Sequence, residues 1–207
     1  MIISHAHKFI FVAIPKTGTH SVREALRPHF GPDDEEQARL FIEKKLNNAE
    51  LAALGHGHIG LSTLRQHMDP AQFDSYFKFA FVRNPFDRFV SFCAFFTKNN
   101  GLFERDPKSA MRHFLFAAPP MNNIVFQPQN TFVANAQGEL LSDFIGRVET
   151  MQSDYDAICE RLGIPSEQLG RQNSSQHDEY RSYYDQQLID GVAKLYGRDL
   201  ELFGYDF

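Results

Sequence analysis

Residues 8–14 (KFIFVAI) form a short, almost unbroken apolar run rich in aromatic and β-branched side chains, ended by Pro15. Such a run predicts a strand buried on both faces, as in a parallel sheet. A polar PKTGT turn follows, and His20–Arg27 (HSVREALR) has helix-forming composition up to Pro28 and Gly31-Pro32. The same order recurs at Tyr76–Val82 (YFKFAFV), a second buried strand. The turn Arg83-Asn84-Pro85 and a helix over Phe86–Lys98 come next, with Phe89, Phe92, Cys93 and Phe96 on one face before Asn99-Asn100-Gly101.

Between these units, the acidic start Asp33–Glu36 and the spacing of Leu40, Phe41, Lys44, Lys45 and Leu51 predict a surface helix running to Leu54, broken near Asn47-Asn48. In HGHIGLSTLRQHM, glycines flank two histidines on a loop, and a helix over Ser62–Met68 follows with Ser62 as its N-cap. Further helices are expected over Pro107–Ala117, over Met151–Leu162 up to Gly163, and within Tyr184–Leu202. Thr131–Ala134 and Asp143–Val148 read as additional strands. Alternating buried strands and helices imply an α/β fold: a central, mostly parallel sheet flanked by helices, with ligands beyond the carboxyl ends of its strands.

Composition narrows the class. The 207 residues, 43% hydrophobic and 23% charged, suit one globular domain over 1–207 and exclude a disordered or fibrous chain. A net charge of −5 supplies no global basic field for nucleic acid or an anionic membrane, so a polyanion must be gripped locally. Cys93 and Cys159 lie in apolar surroundings and make no disulfide framework. The amino-terminal apolar run is too short for a membrane span and lacks a cleavage pattern, so a cytoplasmic protein without a membrane segment is expected.

Two stretches carry chemistry. In IPKTGTHS a buried strand delivers Lys16, Thr17, Gly18, Thr19, His20 and Ser21 to a helix N-terminus, where N–H groups and the helix dipole favour phosphate or sulfate. The loop departs from GxxxxGK[ST], because Pro15 leads it and Lys16 precedes Gly18. In VRNPFDRFVSF, Arg83 ends a strand and Ser91 lies two helical turns on, with Arg88 between them. An arginine fork and a hydroxyl suit a phosphate monoester, so the two stretches together imply a ligand with two phosphate-like groups. Each stretch alone also fits an ordinary βα turn.

These residues resemble the sulfotransferases that use 3′-phosphoadenosine 5′-phosphosulfate (PAPS), a family with a P-loop-NTPase-like α/β fold. IPKTGTHS is similar to the family's 5′-phosphosulfate loop and RNPFDRFVS to its 3′-phosphate motif. FQPQNTF, DFIGRVETM, RQNSS, YRSYYD and KLYGRDLELFGYDF resemble the carbohydrate branch, so the likeness touches most of the chain from Phe9 to Phe207. It implies that Lys16 meets the phosphosulfate and its bridging oxygen, that residues 17–21 cradle the 5′ side, and that Arg83 and Ser91 hold the 3′-phosphate. HGHIGLSTL resembles the loop bearing the catalytic histidine of uronyl and heparan sulfate 2-O-sulfotransferases, which maps that role onto His58 with His56 beside it. Gln129, Arg147, Asn173 and Ser175 fall in family-like segments without an assigned contact. His20 stands where many relatives carry Thr or Ser.

The implied reaction moves a sulfuryl group from PAPS to a hydroxyl of a carbohydrate or glycan, leaving adenosine 3′,5′-bisphosphate (PAP). A histidine base suits an alcohol nucleophile, and an unperturbed one titrates near about pH 6.5, raised by nearby phosphates. Glu43, Glu50 and Asp69 are open as its partners. No metal is expected: His56-x-His58 with His5-x-His7 lacks a third ligand motif, and no paired carboxylates follow the strands. A nucleotide-dependent kinase and a noncatalytic nucleotide-binding protein of the same fold are the competing readings.

Overall fold

The computed structural model describes residues 1–38, 46–170 and 179–207. The expected positions Leu40, Phe41, Glu43, Lys44 and Lys45, and Asn173 and Ser175, lie outside the described residues. In chain order the elements are β1 (Ile2–Ser4), β2 (Phe9–Val12), α1 (Thr19–Leu26), β3 (Glu35–Glu36), α2 (Ala49–Ala53), α3 (Leu61–His67), α4 (Pro70–Ser75) and β4 (Phe77–Val82). They continue with α5 (Pro85–Thr97), α6 (Leu102–Arg105), α7 (Pro107–Arg112), α8 (Asn130–Val133), β5 (Phe144–Arg147), α9 (Met151–Leu162), α10 (Gln186–Leu195) and α11 (Gly197–Phe203). The chain packs as two compact units, Met1–Val82 with Thr131–Gln172, and Arg83–Asn130 with Asn173–Phe207.

The first unit is built on a five-stranded sheet of order β3-β1-β2-β4-β5. Pairs β2·β4 and β4·β5 are parallel, whereas β1 runs antiparallel to both β2 and β3, so only β1 opposes the common direction. This is the mostly parallel α/β sheet that the alternating pattern predicts. Phe9 lies opposite Phe77 and Phe11 opposite Phe79, and the Phe11 and Phe79 rings stack at 5.3 Å. Val22 and Leu26 of α1 and Tyr155 and Ile158 of α9 cover these rings, so one apolar cluster fixes both helices against the sheet. In β5, a Cβ at Gly146 would come 2.6 Å from the Phe81 ring, so this position admits only glycine without displacing that core side chain.

The second unit is helical, with a core of Phe86, Phe89, Phe92, Phe126, Leu188, Val192 and Tyr196. Arg88, which lies between Arg83 and Ser91 in sequence, is buried here and donates to the carbonyls of Val125 and Gln127 at 3.0 and 2.8 Å. It is tied to a loop, with its guanidinium over the Tyr196 ring at 5.7 Å.

Several local expectations change. The surface helix over 33–54 is replaced in part by β3, because Glu35 and Glu36 pair with Ile3 and Ile2 and Glu36 is drawn inward by Arg23 and Arg27. Its far end survives as α2, capped by Asn48, whose side chain accepts from the N–H groups of Glu50 and Leu51. Thr131–Ala134 is a helical turn rather than a strand, and only Ala134 bridges, to Leu140. Ser62 is not the cap of α3: Gly60 takes that place, and the Ser62 hydroxyl donates to the Ala134 carbonyl at 3.1 Å. The closing helix is two, divided at Tyr196, and the helix from Pro107 widens to a π turn over His113–Ala117.

Candidate functional site

At the carboxyl end of β2 the chain turns sharply. Lys16 has φ 68° and Gly18 φ 70°, so two positions of the short loop lie in the left-handed region, one of them without glycine's freedom. Backbone N–H groups turned this way form a concavity suited to an anion. The loop runs into α1, which has no side-chain cap and no acidic residue in its first turn, so its end presents an uncompensated positive dipole. A Cβ at Gly18 would lie 2.7 Å from Met151 Cε, so the loop is also closely backed by the start of α9. The Thr17 hydroxyl donates to the Ile14 carbonyl at 3.0 Å and that of Ser21 to the Gly170 carbonyl at 2.6 Å. Those two hydroxyl protons are therefore engaged within the protein. Thr19 is buried, and half-buried His20 is held below the ordinary histidine range by burial and then by Arg23.

The histidine loop lies in the same unit. His58 Nδ1 is 2.6 Å from the carbonyl oxygen of Ala13, at the end of the strand that delivers Lys16. A carbonyl only accepts, so Nδ1 carries the proton and Nε2 keeps its lone pair. Burial pushes the His58 pKa down to about 3, against the opposing bond to Ala13, with the chain's terminal amine, Arg23 and His56 adding to the fall. In the chain itself, burial among positive groups thus outweighs the carbonyl bond. The His56 ring stacks on that of His58 at 6.3 Å, and its buried Nδ1 has no hydrogen-bond partner. Of the three open carboxylate partners, Glu43 lies outside the described residues, Glu50 pairs with His67 at 3.4 Å, and Asp69 caps α4 through the N–H of Gln72.

Residues that local sequence did not single out hold this loop. Gln37 donates through Nε2 to the carbonyls of Leu51 and His56 at 2.8 and 2.9 Å, and its own carbonyl accepts from Arg23 Nη1 at 3.0 Å. A Cβ at Gly57 would lie 1.8 Å from that same carbonyl, so the histidine loop must carry glycine there. Arg23 in turn shares Glu36 with Arg27, at 3.2 and 2.8 Å. Burial would raise the Glu36 carboxyl, but the hydrogen bond and charge of Arg27, with those of Arg23, hold it below the usual carboxylate range. Thus α1, which opens at the Lys16 loop, is tied through Arg23 and Gln37 to the segment bearing His58. No spacing rule relates Gln37 to His56, so only the fold reveals the link.

In the second unit, Arg83 and buried Ser91 lie before and within α5. Asp87 accepts from Arg83 Nε at 2.6 Å, and the side-chain amide of Gln129 makes two bonds to the Arg83 backbone. Arg147 ends β5, opposite Val82, with its N–H donated to Asp154 at 2.7 Å. Among the described residues, no group of three or more His, Cys, Asp or Glu is arranged to hold a metal ion. No helix among them is long and apolar enough to cross a membrane.

The chain belongs to the sulfotransferase family, whose match spans residues 1–206. An uncharacterized protein of Archaeoglobus fulgidus is 25% identical over 118 residues, which cover 57% of this chain and 93% of that protein. No solved structure matches the chain.

Proposed function

We propose that residues 1–207 act as one sulfotransferase domain that moves a sulfuryl group from PAPS to a hydroxyl of a carbohydrate or glycan. Supporting this reading most is the bond from His58 to Ala13, which ties an imidazole with an unprotonated Nε2 to the end of the strand that delivers Lys16. In the proposed reaction, the acceptor oxygen bonds to sulfur as the bond from sulfur to the bridging oxygen of PAPS breaks. The acceptor proton passes to His58 Nε2, and PAP leaves. Lys16 and the N–H groups of residues 17–21 meet the charge growing on the leaving phosphate, while Arg83 and Ser91 take the 3′-phosphate. His56 orients the loop beside the base. Burial pushes the His58 pKa down to about 3, which makes it a weak base, and an anionic donor raises it by favouring the imidazolium. The branch-level resemblance of HGHIGLSTL supports the carbohydrate acceptor, and a cytoplasmic location belongs to the same reading.

The test is transfer of labelled sulfate from PAPS to a panel of glycans with a chelator present. Incorporation into one class of glycan is expected. Metal-dependent phosphate transfer from ATP, with no sulfate transfer, would replace this reading with that of a kinase.

A further inference from the structure

Asp199 is completely buried at the first turn of α11. Its two oxygens accept from successive main-chain N–H groups, Gln129 at 2.7 Å and Asn130 at 2.8 Å. These bonds fix the backbone of Gln129, whose side chain is itself wholly buried. The Gln129 amide then takes both polar groups of one residue: Oε1 accepts from the Arg83 N–H, and Nε2 donates to the Arg83 carbonyl, each at 2.9 Å. A side-chain amide copies the donor and acceptor of a peptide group, so it clasps the Arg83 backbone as a neighbouring strand would.

A surface arginine needs no such support. Here the backbone is clamped by Gln129, while the side chain is steadied from its own helix by Asp87. One constraint on its backbone and one on its guanidinium limit the entropy that Arg83 loses when it takes a phosphate. We propose that Gln129, held by Asp199, is a positioning residue that preorganises Arg83 and so sets discrimination for a nucleotide bearing a 3′-phosphate. This inference rests on the reading of Arg83 as the 3′-phosphate ligand.

Affinities of the full chain for PAP and for adenosine 5′-monophosphate, compared by calorimetry, separate the two claims. Wild type binding PAP far more tightly than the monophosphate supports the reading of Arg83; equal binding sinks both claims. Given that preference, Gln129→Ala is expected to weaken PAP roughly tenfold while leaving the monophosphate nearly unchanged, the scale of a lost charge-assisted contact. Asp199→Asn, which keeps one acceptor oxygen, should give a smaller loss of the same kind and serves if Gln129→Ala does not fold. In an Arg83→Ala background, Gln129→Ala should change the ratio no further. Equal losses for both nucleotides, an unchanged ratio in the single variants, or a further fall in the Arg83→Ala background would overturn the inference.

Discussion

In the proposed reaction His58 and Lys16 divide the work by charge, one neutral and one positive, and each can be tested alone. The pKa of His58 is depressed, so between about 6.5 and about 3 the unfolded chain binds the proton that the folded chain refuses. The stability that this histidine contributes is therefore present above about pH 6.5 and is lost as pH falls towards 3. Denaturation at pH 7 and at pH 4.5 should show a larger loss for wild type than for His58→Gln; equal losses would mean that the ring is not buried as described. In turnover, His58→Ala should cost a factor of about 10² to 10⁴ with PAP affinity nearly intact, the usual scale of general-base catalysis. Near-normal turnover would move the base elsewhere. Lys16→Ala should lower kcat more than it weakens PAP, because the charge it meets grows in the transition state. Lys16→Arg should not restore the rate, since the planar guanidinium is broader than an ammonium.

At the scale of elements, β2 and β4 were legible because both of their faces are buried, which leaves unbroken apolar runs at 9–12 and 77–82. The three-residue β1 and two-residue β3 were not, since a pattern that short has no period, and Glu35 and Glu36 read as a solvated face. The Glu36 carboxylate is in fact only 1% exposed, compensated by two arginines from α1. Breaking such a buried group leaves uncompensated charge, so Glu36→Gln should destabilise the fold by about 3 to 5 kcal/mol in denaturant titration. A change below about 1 kcal/mol would place the triad among solvated surface pairs. Thr131–Ala134 was misread because its β-prone composition is overridden at its start, where Asp199 caps the N–H groups of Gln129 and Asn130. The loop residues 16–21 and the two histidines were legible because their chemistry is local. Gln37, Asp199 and the clasp of Gln129 on Arg83 were not, because their partners lie far along the chain.

For the whole molecule, family membership and the α/β sheet agree, and both leave the donor and the acceptor to experiment. The claim that joins the residues is that the donor carries a 5′-phosphosulfate and a 3′-phosphate and needs no bridging metal. A ligand that binds only the folded chain raises its melting temperature in proportion to the logarithm of its saturation, so the melt reads donor recognition without knowledge of the acceptor. The most direct measurement is the melting temperature with PAP and with ATP, each in the presence of EDTA and again with magnesium. The account predicts a large rise with PAP that EDTA leaves intact, and a much smaller one with ATP. An ATP shift as large as that of PAP, or a PAP shift abolished by EDTA and restored by magnesium, would contradict it.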